Sequence, residues 1–335
     1  MATLEAIAIG ATTRGEQMST EPTTATGPTS KAAVPAVSLC IPAYQAEKHL
    51  RETLDAAFAQ TCEDMEILVL DNNTTDGTRR ILDEALEESR DPRLRVVRND
   101  ATLSMPDNWN RVVDLCRAPL IKLLCADDLI DKTCVQDQAD ILVDNPDVAL
   151  VACRVDLLDD AGRPLRRSTG LRRLTGRHDG RTVVRQVVRS GGNPIGPSAA
   201  VTFRRKDFVD VGGFKGDLLY PMELELWTRL LRHGDFVGQP DAMAAFRISA
   251  DGATAFTSVR AQFGQQAELT RRIARDAAWR MGSLDRSIGW LGAVTMQARR
   301  SLLFSRSAWR HGRRSASDQQ VVESVATPRP TGPAA

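Results

Sequence analysis

The chain has 335 residues, of which 26% are charged and 42% hydrophobic, with 44 Lys plus Arg against 43 Asp plus Glu. A chain of this size buries a substantial core, and these proportions exclude a wholly disordered or membrane-embedded protein. The formal net charge of +1 provides no global basic field, which argues against nucleic acid as a partner and leaves charge to act locally.

Residues 1–34 are rich in Thr, Ala, Gly and Pro and nearly lack large apolar side chains. Burial cannot offset their ordering entropy, so a disordered leader is expected. From Val37 short apolar runs alternate with amphipathic stretches: VSLCI, EKHLRETLDAAFAQ, MEILVLD, TRRILDEALEES, LRVVR. This is a βαβαβ rhythm, and such unbroken apolar runs suit parallel strands buried on both faces. The rhythm continues with a helix over Asn108–Cys116, a strand in LIKLLC, a helix near Cys134–Val143 and a strand in VALVACRV. After Asp156 a DAG turn leads into an Arg-rich stretch, read as surface loop, that ends at His178.

A second ordered block runs from about Thr182 to Ser249, with the Gly/Pro loop GGNPIGPS, a strand in AAVTF, the turn VGGF and a helix around Glu223–Arg232. The expected organisation is thus one domain over 35–250, with halves at 35–156 and 180–250. An Arg-rich helical tail over 251–315 and a polar, disordered end over 316–335 follow. Cys40, Cys62, Cys116, Cys125, Cys134 and Cys153 show no CxxC spacing and several lie in apolar runs, the pattern of reduced thiols in a cytoplasmic protein. No apolar stretch reaches the ~18 residues that span a bilayer, and Met1–Gly10 lacks the basic start of a secretory signal.

In open α/β sheets ligands bind beyond the carboxyl ends of the strands. Four polar sets stand there: Pro42-Ala43-Tyr44, Asp71-Asn72-Asn73, Arg98-Asn99 and Asp127-Asp128. Two adjacent carboxylates repel unless a cation or solvent relieves them, and carboxylate oxygens suit Mg²⁺ or Mn²⁺ shared with substrate phosphates. The plainer account of Asp127-Asp128 is an acidic pair at a helix start. Asp71 ends an apolar strand, where it could accept a hydrogen bond from a base or ribose, while NNTTDG after it closes a turn and Asp76 caps the next helix.

The run VSLCIPAYQAEKHLRETLDAAFAQTCEDMEILVLDNNTTDGT resembles the opening of the family-two glycosyltransferases of GT-A fold. The likeness extends through NWNRVVDLCRAPLIKLLCADDLI, NPDVALV, GNPIGPSAAVTFRR, VGGF and ELELWTRLLRHGDF, about two thirds of the chain. It implies a Rossmann-like, mostly parallel sheet flanked by helices, and an inverting transfer from a nucleoside-diphosphate sugar to a saccharide or lipid-linked acceptor. Pro42, Tyr44, Asp71 and Asn72 would border the nucleoside. Asp127 and Asp128 would approach ribose, diphosphate and metal, with Asp128 as the direct ligand. MELELW occupies the place of the family's EDWDLW, which puts Glu223 at the catalytic base and leaves Glu225 as its rival. This chain departs from the family in having Asp71-Asn72 where many members have two acids, CADD where they have DxDD, and Glu223 for Asp.

Asn108, Trp109 and Asn110 would support the donor pocket, although a helical Trp is more often core. Gly196-Pro197-Ser198 could form the acceptor wall or a simple rigid turn, and Arg247 could hold a phosphate or lie idle at the surface. The tail, with Trp290, Leu291, Val294, Leu302, Leu303 and Phe304 mixed with Arg299 and Arg300, fits both peripheral contact with an anionic membrane and docking on the domain. The alternative function is a degenerate nucleotide-sugar-binding protein that has lost its base. No GxGxxG, GxxxxGK[ST], GxSxG or HExxH occurs, which disfavours dinucleotide, P-loop and hydrolase chemistry.

Overall fold

The computed structural model describes residues 34–248, 259–289, 291–292 and 295. Residues 1–33 of the expected leader, the polar end and part of the tail lie outside the described residues. Ten strands form a single sheet there, in the order β3-β2-β1-β4-β9-β6-β10-β5, with β7 on β6 and β8 on β10. The first half holds β1 (Val37–Ala43), β2 (Met65–Asp71), β3 (Leu94–Arg98) and β4 (Leu120–Leu123), all parallel. Every residue of β1 and β2 is buried, which is why their runs are apolar apart from Ser38 and Glu66, which bond to each other at 2.6 Å, and the terminal Asp71. Helices α1 (Leu50–Phe58), α2 (Thr78–Ser89) and α3 (Met105–Leu115) make the crossovers. Each presents a stripe at helical spacing, as α1 does with Leu50, Thr53, Leu54 and Ala57.

The second half changes direction. β9 (Val201–Arg204) runs antiparallel between β4 and β6 (Val148–Leu158), and β10 (Asp235–Arg247) returns parallel to β6. The last strand of the sequence-defined first half, β6, is therefore embedded among strands of the second. β10 breaks register with β6 between Gln239 and Ala244, where Pro240 cannot donate to the ladder. Its far part adds the short β5 (Leu129–Ile130). Helix α4 (Cys134–Asp144) covers β6 and β9, α5 (Gly180–Ser190) buries four valines, and α6 (Arg205–Asp210), α7 (Met222–Leu230) and α8 (Val259–Arg275) follow.

One expectation needs correcting. The Arg-rich stretch before His178 is not all loop: β7 (Pro164–Thr169) forms a hairpin with β6, and β8 (Gly176–His178) pairs with β10. Most residues of both strands are exposed, so neither carries the apolar alternation by which a strand is read.

Candidate active site

The directions of the strands gather the polar residues at one edge. β1, β2 and β4 end there at Ala43, Asp71 and Leu123. Antiparallel β9 begins there, with Thr202 opposite Lys122, so the turn Ser198–Ala200 that precedes it faces the segment after β4. β10 ends at the same edge, with Arg247 opposite Leu158. Residues from five regions of sequence thus converge, as ligand sites of open α/β sheets require.

Asp128 is fully buried. Its Oδ1 accepts the Arg247 N–H at 2.9 Å and its carbonyl accepts the Thr53 hydroxyl at 3.1 Å, while Oδ2 is buried with no hydrogen-bond partner. Burial, and then the neighbouring carboxylates of Asp127 and Glu223, hold the Asp128 carboxyl well above the usual range against the opposing pull of Arg247. Burial likewise raises Asp127, opposed by His49 and Arg247. Carboxylate oxygens of both residues and the Cys125 sulfur lie within 4.8 Å of one another. The thiol is pushed up by burial and by the surrounding acids.

Arg247 is neither a surface residue nor open to a phosphate. It is 2% exposed, and its Nε donates to Asp127 O at 3.0 Å, Nη1 to Asp160 O at 3.3 Å and Nη2 to Glu52 at 2.6 Å. It clamps the Asp127-Asp128 turn.

Glu223 and Glu225 separate as i and i+2 on a helix must. Glu223 Oε1 accepts the Ser198 N–H at 2.6 Å, and burial raises its carboxyl, partly offset by the Ser198 bonds. Its charge acts on Asp128 and Cys125. Glu225 is instead consumed by Arg229, which grips it at 2.7 and 2.5 Å and donates on to Val211 O and Gly213 O. Gly196 permits the turn that presents Ser198: its φ is +129° and its carbonyl accepts Trp227 Nε1 at 3.3 Å. Pro197 leads extended into that turn. Leu224, Leu226 and Leu230 face the core.

The edge of β2 is differently built. Asp71 accepts Thr74 N at 2.9 Å and Arg98 Nη1 at 3.0 Å. Asn72 Oδ1 accepts from Asn99 at 2.8 Å and Leu103 N at 2.9 Å, and its Nδ2 donates to Leu103 O at 3.0 Å. Asn99 also donates to Asn108 at 2.9 Å. These amides hold the loop after β3. Asn110 grips Phe214 through both its N–H and carbonyl, and Trp109 packs edge-on against Phe214 at 5.2 Å, so both fix the 213–214 loop. Pro42 is buried within β1, while Tyr44 beyond it is 55% exposed and open to a ligand.

Five contributors carry no local sequence signal: Thr53, Glu52, His49, Asp160 and the Ser198 N–H. His49 Nε2 lies 3.1 Å from Asp160 Oδ1. A separate recess of about 310 Å³ lies between α7 and α8, but its Arg229, Arg232 and Arg272 are already paired with Glu225, Asp276 and Asp217. Asp127 and Asp128 fit a hard divalent cation, which would satisfy the orphaned Oδ2 and relieve the repulsion; a protonated Cys125 does not suit it.

The profile of glycosyl transferase family 2 matches residues 38–212. An uncharacterized protein of Mycobacterium tuberculosis is 29% identical over 234 residues, 68% of this chain and 72% of that one. Chondroitin synthase of Escherichia coli is 34% identical over 103 residues, which is 31% of this chain and only 15% of the synthase. Among solved structures, the mannosyltransferase PcManGT from Pyrobaculum calidifontis, in complex with GDP-Man and Mn²⁺, superposes with a TM-score of 0.55 at 18% identity, covering 83% of this chain and 81% of that one. S. aureus TarS 1–349 in complex with UDP-GlcNAc gives 0.54 at 16% identity, covering 71% and 66%. The sheet of mixed direction flanked by helices is the GT-A fold, and an enzyme that transfers glycosyl groups is the class that this fold and profile define. The chain belongs to glycosyl transferase family 2.

Proposed function

We propose that the protein is an inverting glycosyltransferase that moves a sugar from a nucleoside-diphosphate sugar to a hydroxyl of a saccharide or lipid-linked acceptor, in the assembly of envelope polysaccharide or glycolipid. The carrying observation is that Glu223, Asp127 and Asp128 meet at one sheet edge, with Asp128 Oδ2 unpartnered and the Glu223 charge acting on Asp128. Buried, mutually repelling carboxylates are costly to fold, and such arrangements mark functional sites. The donor class draws support from the relatives in complex with GDP-Man and UDP-GlcNAc.

In this reading Glu223 takes the proton of the acceptor hydroxyl as that oxygen attacks the anomeric carbon and the bond to the diphosphate oxygen breaks. Burial raises the affinity of Glu223 for the proton, and the Ser198 N–H fixes its orientation. Asp71 and Tyr44 border the nucleoside, while Asn72 and Asn108 shape the pocket indirectly by holding the loop after β3. Mg²⁺ or Mn²⁺ bound by Asp128 and Asp127 would neutralise charge developing on the leaving diphosphate. Arg247 and Thr53 keep that turn in place before any ligand arrives.

Calorimetric titration with UDP, GDP, dTDP and CDP, with and without Mn²⁺, tests this on wild type and Asp128→Ala. Metal-dependent binding of one nucleotide, lost in the variant, is the expected result. No binding of any nucleotide by folded protein overturns the reading.

A further inference from the structure

β9 begins at the edge where Asp127, Asp128 and Glu223 meet, and β10 ends there. The end of β9 and the start of β10 therefore lie at the opposite edge of the sheet. Three side chains that the transfer reaction does not use come together at that edge. Asp207 and Asp210 stand i, i+3 on α6, which puts both carboxylates on one face. His233 comes from the turn between α7 and β10. One ligand atom from each of the three lies within 4.8 Å of the other two.

The innermost of the three is short of partners. Asp207 is 8% exposed, and among the described residues its carboxylate accepts no hydrogen bond. The Arg204 guanidinium nearby is spent on the carbonyls of Val148, Leu142 and Asn145. The one group at ion-pair distance is His233, whose Nδ1 lies 3.6 Å from Asp207 Oδ1. That gap is too long for a hydrogen bond. It is close to the spacing of two ligands on one ion, since zinc bonds of about 2.1 Å at a tetrahedral angle set donor atoms ~3.4 Å apart. Both sides are held in place by the protein alone. Phe208, next to Asp207, packs on Phe203 and Phe214 at 5.7 and 5.5 Å. The His233 N–H donates to Leu230 O at 2.9 Å, and a Cβ on Gly234 would stand 2.2 Å from Asp147 O, so only glycine lets the chain leave His233 along this path.

We propose that Asp207, Asp210 and His233 form a site for Zn²⁺ at the edge of the sheet away from the transfer reaction. An imidazole with two carboxylates suits a borderline ion such as zinc, whereas the oxygens of Asp127 and Asp128 suit a hard one. Three protein ligands leave a fourth position for water, and Asp210 and His233 are exposed on that side. The ion compensates the buried Asp207 charge and ties α6 to the turn that leads into β10, so its role is to fasten the second half of the sheet. The site stands whether or not the transfer edge binds a metal.

The test takes the full chain without a polyhistidine tag, frees it of metal, dialyses it against buffered Zn²⁺ in excess Mg²⁺ and measures bound zinc. Wild type is expected to hold one equivalent more than His233→Ala and one more than Asp210→Asn. Both positions are exposed, so the metal-free melts of the variants should match wild type. Both variants keep Asp127 and Asp128, so any zinc at the transfer edge cancels in the difference. Zn²⁺ should raise the melting temperature of wild type more than that of either variant. In proton NMR it should shift the ring signals of His233, identified by their loss in His233→Ala. Equal zinc in wild type and either variant overturns the proposal, as does zinc binding that leaves the His233 ring signals unmoved; Asp207 and His233 would then form an ion pair only.

Discussion

The carboxyl ends of β2 and β4 lie two strands apart in one sheet, yet they treat polar groups in opposite ways. At β2, Asp71 has Thr74 and Arg98, and Asn72, Asn99 and Asn108 spend their amides on one another and on Leu103. At β4, Asp128 keeps a buried oxygen without a partner, Asp127 is half-buried beside it, and Glu223 adds a third carboxylate. The first end pairs its carboxylate and leaves only the neutral Thr74 Oγ1 and Asn99 Oδ1 without partners, a joint on which a ligand can rest. The second stores repulsion that a ligand would relieve. In the proposed reading, unrelieved charge, more than the presence of polar residues at a strand end, distinguishes the chemical end from the architectural one.

The sharpest way to break the comparison is Glu223→Gln against Glu225→Gln. The first leaves a hydrogen-bond acceptor facing Ser198 but no base, so turnover should fall on the order of 10²- to 10⁴-fold while nucleotide binding persists. The second frees Arg229 from its bidentate partner and should lower the melting temperature, with much smaller loss of turnover per folded molecule. Transfer assays beside calorimetry separate them, and equal loss of turnover in both would remove Glu223 from the base position. The pH profile carries a linked expectation. Burial raises the Glu223 carboxyl and only its ionised form can accept a proton, so the acid limb of kcat should lie above the usual carboxylate range and vanish in Glu223→Gln.

Much of this was legible in the sequence because it depends on local pattern. Unbroken apolar runs gave β1, β2 and β4, and polar residues just beyond them marked the edge where ligands bind. The Asp127-Asp128 pair and the MELELW helix were readable too. Arg247 and Ser198 were not readable in their actual roles, because the first acts on Asp128 from 119 residues away and the second through a backbone N–H 25 residues from Glu223. No side-chain pattern encodes a backbone donor. Asn72 reads as bordering the nucleoside because an amide at a strand end suits a ligand and the closing of a loop alike, and its bonds to Asn99 and Leu103 come from 27 and 31 residues away, where no local pattern shows them.

Asn72→Ala sharpens the architectural side. It removes the two acceptances and the one donation that join β2 to the loop after β3, leaving Leu103 N and Asn99 Nδ2 without that partner. A cost of about 1–3 kcal/mol in denaturant unfolding is expected. Nucleotide affinity should weaken modestly through loss of loop order, and the metal requirement should be unchanged. A variant as stable as wild type, with affinity lost, would transfer Asn72 to direct nucleotide contact.

The smallest expected change has the most telling sign. Asp128→Asn keeps an oxygen to accept the Arg247 N–H and removes the buried charge that Asp127 and Glu223 oppose, so the metal-free protein should gain about 1 kcal/mol of stability while losing metal-dependent nucleotide binding. The pH dependence follows from the same charge. Because folding raises the Asp128 carboxyl, the folded state holds that proton more tightly than the unfolded chain. This contribution to stability is complete below the ordinary carboxylate range and is lost as pH rises towards the raised value. In metal-free wild type, melting temperature should therefore fall over that interval, more steeply than in Asp128→Asn, and added Mn²⁺ should restore it in wild type alone. Calorimetric melts across pH with a chelator and then with Mn²⁺ check each part. A destabilised Asp128→Asn protein would mean that the second oxygen is satisfied in solution, and would make the β4 end a structural joint like that of β2.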